Sequence, residues 1–185
     1  MKCCLRAWRP PGFSVRKSKS TGTHRHPMTQ PLSGIRILDL TQVLSGPFCS
    51  MNLANLGAEV IKVERPGTGD DARALPPFVG GRSACFAAVN HSKKSIALDL
   101  KSDTDREVFE RLLPKADILL ENFRPGVMER LGYGYDDLRA RYPKLIYGAV
   151  SGFGHTGPET KRPAYDMVAQ ARGGIMSITG ETGRD

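Results

Sequence analysis

The chain has 185 residues, 39% of them apolar, 25% charged and 7% aromatic, with 20 Gly, 13 Pro and a formal net charge of +8. That is enough chain for one globular domain and too little charge bias for a wholly disordered one, and no apolar run is long enough to cross a bilayer. Residues 1–30 hold seven basic side chains and no acid. The remaining body is therefore nearly neutral, which speaks against a nucleic-acid surface on the folded part.

The basic leader has three readings: an organellar presequence, although Pro10, Pro11 and Gly12 interrupt any amphipathic helix; a disordered tail; or an upstream extension ahead of a working start at Met28. We take the third, set residues 1–30 apart as a disordered basic extension, and read residues 31–185 as the folded part. A cytoplasmic location follows, with the mitochondrial matrix as the alternative if the leader is a presequence. His24 and His26 read as solvated residues of that leader. Cys3, Cys4, Cys49 and Cys85 are too few and too irregular for a disulfide framework and show no paired zinc spacing, so a reducing compartment and no metal are expected.

Regular patterning begins at Pro31. Ile35–Leu40 (IRILDL) reads as a buried strand, Pro47–Leu56 as a helix stopped by Gly57, and Glu59–Glu64 (EVIKVE) as a second strand, together a βαβ unit with parallel strands. The stretch Arg65–Ser92, with three prolines and four glycines, is too long for an ordinary connector and reads as functional loop. Ser95–Leu100 is the next strand. Ser102 and Asp105 resemble a capping box that opens a helix over Asp103–Leu113, with Val108, Leu112 and Leu113 on one face. Asp117–Leu120 and Leu145–Val150 complete the strands, and a short helix near Asp136 carries Leu138. The alternation predicts an α/β domain, a mostly parallel sheet with helices on both faces.

Ligands of such sheets bind at the carboxyl ends of the strands. The segments there are Thr41–Gly46, Glu64–Asp70, Asp99–Lys101, Glu121–Gly126 and Ser151–Gly157, rich in Gly and accompanied by Arg65, Arg73, Lys93, Lys94, Lys101, Arg124 and Arg130. Such an edge suits a phosphorylated ligand; a solvated rim of surface cations is the alternative. The first strand is followed directly by TQVLSGP and not by GxGxxG, and there is no GxxxxGK[ST] and no GxSxG. His91 and His155 sit in loops with no carboxylate or cysteine at ligand spacing and read as surface residues.

Five ordered blocks, PLSGIRILDLTQVLSGPFCSMNLANLGAEVIKVERPGTGDDAR, NHSKKSIALDLK, ENFRPGVMERLGYGYDDL, LIYGAVSGFGHTGP and YDMVAQARGGIMSITG, resemble the amino-terminal part of the family III CoA-transferases over about Pro31–Gly180. The resemblance implies a Rossmann-like large domain, a small domain beyond it and an interlocked homodimer. It implies coenzyme A in acyl-CoA form and a small carboxylic acid as substrates, with no membrane or nucleic acid as partner. Succinyl-CoA-using dicarboxylate enzymes look most similar.

Carried over by position, the family's CoA contacts fall on Leu44 and Ser45, on Arg65, on Leu98, Asp99, Leu100 and Lys101, on Asn122, Phe123 and Arg124, on Arg130, and on Arg162–Tyr165. Formyl-CoA:oxalate members carry glutamine at Leu44 and lysine at Pro163, which argues against oxalate as acceptor and leaves Arg162 as the nearest cation. The family nucleophile is an aspartate in a Gly-Asp block that would follow residue 185, so the chain reads as an amino-terminal fragment of the large domain, inactive alone.

Asp166 matches an auxiliary active-site carboxylate; the alternative is a helix N-cap. The related α-methylacyl-CoA racemases carry His-Asp where this chain has Tyr165-Asp166, and tyrosine is a poor base at neutral pH. A transferase is therefore favoured over a racemase, and over a non-catalytic CoA-binding module, for which the sequence has no positive feature.

Overall fold

The computed structural model describes residues 30–180. The expectations for residues 1–29, including His24 and His26, lie outside the described residues. The chain runs β1 (Arg36–Asp39), α1 (Ser45–Asn55), β2 (Glu59–Glu64), the short antiparallel strands β3 (Phe78–Val79) and β4 (Arg82–Ser83), α2 (Ala84–Asn90), β5 (Lys94–Ala97) and α3 (Asp103–Leu112). It continues through β6 (Ile118–Glu121), α4 (Val127–Arg130), α5 (Tyr135–Arg141), β7 (Ile146–Ala149), α6 (Asp166–Arg172) and α7 (Ile175–Ile178).

Five strands form one sheet in the order β5-β2-β1-β6-β7, every neighbouring pair parallel. The chain winds outward from β1 in one direction through β2 and β5, then reverses to β6 and β7. The reversal places a topological switch point between the carboxyl ends of β1 and β6, where open α/β sheets bind ligands.

Side chains alternate across a strand, and the alternation sorts the core into two layers. Leu38, Leu40, Val63 and Leu119 pack with Phe109, Leu113, Met128, Tyr133 and Leu138 beneath α3–α5. Ile37, Val60 and Leu120 face the other way, against Leu53 and Ala54 of α1. Helices therefore cover both faces, as the α/β alternation predicts.

Several boundaries differ from the sequence expectation. Helix α1 starts at Ser45, two residues before Pro47; the amides of a helix's first turn lack intrahelical partners, so proline is tolerated there. A β-carbon on Gly46 would lie 2.4 Å from Thr41 Cβ, so only glycine lets this turn sit against Thr41. The stop at Gly57 is as expected, and its geometry is a Schellman motif: Ala58 N donates to Leu53 O and Gly57 N to Ala54 O, with Gly57 at φ 104°.

The Ser102–Asp105 capping box does not form. Ser102 makes no side-chain cap bond, and Asp105 Oδ2 instead accepts from Asp99 N at 2.8 Å, tying the helix to the end of β5. The helix ends at Leu112, with Leu113 in a following 3-10 turn, and its fully buried residue is Phe109. The segment Arg65–Ser92 is not all loop: it folds into a 3-10 turn (Asp71–Ala74), the β3–β4 hairpin and α2, whose N-cap Ser83 accepts from Phe86 N. Asp166 is not an N-cap. Tyr165 holds that position, and Asp166 is the first helical residue, accepting from Gln170 Nε2 at 2.5 Å.

Candidate active site at the sheet's carboxyl edge

Because β1, β2, β5 and β6 are parallel neighbours, their carboxyl ends open on one edge at spacings of about 4.8 Å. Beneath that edge, on the α1 side, lies a buried polar network. Asp39 accepts from Thr41 N, Thr41 Oγ1 and Ser50 Oγ, and pairs with Lys93 Nζ at 3.1 Å. Lys93 Nζ also donates to Pro47 O and Asn90 Oδ1, which pins the first turn of α1 to β1 and α2; burial pulls its ammonium below the usual lysine range, against the attraction of Asp39. Lys62 Nζ pairs with Asp70 Oδ2 at 2.8 Å and donates to Thr41 O at 2.6 Å.

Glu64, at the end of β2, takes a two-pronged contact from Arg73 (2.6 and 2.8 Å) and further bonds from Ser95 Oγ and Asp70 N. Burial works to raise its carboxyl, but these donors outweigh burial and bring it to about 2. Sequence reading missed this network. The acids and bases that form it are separated by up to 54 residues, as in Asp39–Lys93, so no local spacing announces it.

The structure corrects three of the edge cations. Arg73 is committed to Glu64, and Lys93 is buried on Asp39. Lys94 begins β5, at the opposite end of the sheet, where it pairs with Glu59 at 2.5 Å.

The positions carried over for CoA mostly converge on the edge. Leu44 is the N-cap of α1 and is 58% exposed, Ser45 is the exposed first residue of that helix, and no side chain caps its amides. Arg65 directly follows β2, exposed and paired with Asp71. Leu98 and Leu100 follow β5 with their side chains in the core, so only their backbone is available to a ligand; Asp99 and Lys101 between and after them are exposed.

After β6, Asn122 is not free to contact a ligand through its amide. Its Oδ1 accepts from Gln42 N and its Nδ2 donates to Gln42 O, both at 2.8 Å, closing the switch point between β1 and β6. Phe123 packs partly on the core and Arg124 is exposed. The Arg130 guanidinium folds back over Gly126, with Nη1 3.3 Å from where a β-carbon would sit, and so lies against the loop that Arg124 begins. Two charged clefts, one along α3 (Asp103, Arg106, Glu107, Glu110, Arg111) and one at α4–α5 (Glu129, Tyr135, Asp136), contain none of these residues.

Glu121 closes β6 at 2% exposure, accepting from Phe123 N (2.7 Å) and Tyr147 Oη (3.3 Å). His155 Nε2 stands 4.0 Å from its Oε1, so the fold supplies the carboxylate that local spacing around His155 lacks. Burial pushes the Glu121 carboxyl above its usual range, against the Phe123 amide and the His155 ring.

The Tyr165-Asp166 pair lies beyond β7. A β-carbon on Gly152 would meet Ala164 Cβ at 1.9 Å, so the residue before Tyr165 rests on the loop that leaves β7. Tyr165 is 75% exposed and α6 buries nothing. Arg162 pairs with Glu159 at 2.9 Å. Among the described residues no three His, Cys, Asp or Glu side chains group as a metal site, and no helix is long and apolar enough to cross a membrane.

Comparison with known proteins identifies what this chain is similar to. The chain is 52% identical over 150 residues to an acetyl-CoA:oxalate CoA-transferase from Acetobacter aceti, a match covering 81% of this chain and 39% of that protein. It is 48% identical over 157 residues to the succinyl-CoA:glutarate CoA-transferase of Homo sapiens, covering 84% and 36%. The crystal structure of a CAIB/BAIF family protein from Brucella suis superposes with a TM-score of 0.80 at 42% identity, covering 85% of this chain and 43% of that one. The chain thus spans about two fifths of the length of the relatives it matches. The model of CoA-transferase family III matches residues 32–185, and the chain belongs to that family.

Proposed function

We propose that this chain is the CoA-binding amino-terminal part of an enzyme that moves CoA from an acyl-CoA, of the succinyl-CoA kind, to a small dicarboxylic acid. The carrying observation is the convergence of Leu44–Ser45, Arg65, the Leu98–Lys101 backbone and Phe123–Arg124 on one sheet edge, with Arg130 folded against it. Arg65, Lys101, Arg124 and Arg130 are the cations for the CoA phosphates, and the start of α1 supplies uncapped amides near the reactive end. The relatives named for oxalate and for glutarate support a dicarboxylate acceptor; Leu44, which has no polar group, supports one other than oxalate.

In this reading the nucleophile is an aspartate beyond residue 185. Its carboxylate attacks the thioester carbonyl and expels CoA thiolate, leaving a mixed anhydride. The thiolate then attacks the aspartyl carbonyl, releasing the donor acid and forming an aspartyl-CoA thioester. The acceptor carboxylate reverses the sequence: it displaces CoA thiolate to form a second anhydride, whose acyl carbonyl the thiolate attacks, regenerating the aspartate. Asp166 holds the acceptor or polarises its carboxyl, with Tyr165 beside it.

Exposed Met167, Ile175, Met176 and Ile178 on α6 and α7 support a covering remainder of the large domain, or a second chain in an interlocked homodimer.

The test uses the full-length product of this chain's reading frame, incubated with succinyl-CoA and a panel of dicarboxylates, with acyl exchange followed by mass. Exchange with at least one acceptor is expected, and none by residues 1–185 alone. Loss of α-proton label from a 2-methylacyl-CoA without exchange would assign a racemase instead. Exchange by residues 1–185 alone would move the nucleophile to Asp166 or Asp185.

A further inference from the structure

Val43 has φ 67°, a left-handed conformation that a β-branched side chain rarely adopts, and it stands immediately before Leu44 and the first turn of α1. The backbone around it is held almost entirely by side chains from elsewhere. Thr41 N donates to Asp39 Oδ1 (3.0 Å), and Thr41 O accepts from Lys62 Nζ (2.6 Å). Gln42 N and O are both bound by the Asn122 amide at 2.8 Å. Val43 N donates to Asp70 Oδ1 at 2.9 Å, and Asp70 is fixed in turn by Lys62 and by Ala72 N. Five consecutive backbone polar groups, from Thr41 N to Val43 N, thus end on Asp39, Lys62, Asn122 and Asp70.

A turn left to itself would relax toward the extended region, because the left-handed state of a branched residue is disfavoured by roughly ten- to a hundredfold. The buried Lys62–Asp70 pair and Asn122 come from β2, the loop after it and the end of β6, so three parts of the edge converge on one strained residue. Glycine would adopt this φ without cost, yet valine stands there. The constraint comes from the surroundings and not from the residue.

We propose that Lys62, Asp70 and Asn122 are positioning residues that hold Val43 left-handed, and so fix Leu44, Ser45 and the start of α1 in the arrangement that receives acyl-CoA. The proposal rests on the functional reading above. A binding-competent turn populated only in part weakens apparent affinity by that fraction, so the signature of losing the hold is a raised KM with a smaller change in kcat.

Steady-state exchange kinetics on the full-length protein, with succinyl-CoA as the varied substrate, test this. Val43→Pro removes both the N–H and the left-handed φ from a residue that is 39% exposed, and leaves the buried pair in place. A KM raised about tenfold is expected, with kcat altered far less and the thermal midpoint close to that of the parent. Asp70→Ala is expected to raise KM similarly, and adding Val43→Gly to Asp70→Ala to recover at least threefold of it, roughly half of the effect on a logarithmic scale. A merely structural role for Asp70 would show no such rescue.

An unchanged KM for natively folded Val43→Pro overturns the proposal, as does failure of the glycine rescue; if Asp70→Ala does not fold, Val43→Pro decides alone. Arg130→Ala separates the two readings. If it raises KM while Val43→Pro does not, only the positioning proposal falls. If the parent protein neither binds nor exchanges acyl-CoA, the functional reading falls, and the positioning role with it.

Discussion

Replacing Glu64 by glutamine should flatten the acid limb of the stability curve. In the folded chain the Glu64 carboxyl titrates at about 2, against an ordinary value of 4.5. Above pH 4.5 it is ionised in folded and unfolded chains alike, and its stabilisation is fully present. As pH falls through 4.5 the unfolded chain takes up a proton that the folded one refuses, so stability is lost progressively down to about pH 2. A depression of that size is linked to about 3 kcal/mol. The Arg73 side chain is 44% exposed, and solvent screening of its charge reduces the expected figure to about 2 kcal/mol.

The assay is urea unfolding of parent and Glu64→Gln at pH 6, 5, 4 and 3.5, with the slope in denaturant checked for constancy. The parent should lose stability toward pH 3.5 faster than the variant, and the two curves should converge. Parallel curves would show that Glu64 is not held by Arg73, Ser95 and Asp70 as described, and would remove the reason for its depressed titration.

Lys93→Met leaves Asp39 buried with three hydroxyl and amide donors but no cation; a loss of about 3 kcal/mol in urea unfolding is expected, and under 1 kcal/mol would contradict the pair. Glu121→Gln acts in the opposite sense to Glu64→Gln. Because burial holds the Glu121 carboxyl above its usual range, the neutral amide should leave stability at pH 7 unchanged or raised, and the advantage should shrink as pH falls into the ordinary carboxyl range; a large loss at pH 7 would refute this. Arg130→Ala should raise KM for acyl-CoA about tenfold with a smaller effect on kcat, and an unchanged constant would place the guanidinium on a solvated rim.

The elements whose signals are local were legible in the sequence. IRILDL, EVIKVE and DILL are apolar runs between turn residues, and the Gly57 stop follows from the one backbone conformation that glycine tolerates best. A resemblance spread over five ordered blocks singled out positions for CoA, most of which the parallel sheet brings to one edge. Leu98 and Leu100 bury their side chains and leave their backbone at the edge, whereas the Asn122 amide, which no local signal ties down, is spent on Gln42.

Signals that depend on a partner far along the chain were not legible. Ser102 and Asp105 have the capping-box spacing, but Asp99 N competes for the Asp105 carboxylate, and the fold decides in its favour. His155 read as a lone surface residue until β6 brought Glu121 to it, and Lys93 and Arg73 read as rim cations until Asp39 and Glu64 claimed them. Alternation and turn chemistry are properties of neighbours in sequence, so they determine strands, helices and the order in which they are laid down. Whether a charge is buried, paired or free is a property of neighbours in space, and only the assembled sheet, with its edge residues packed against α1 and α2, settles it.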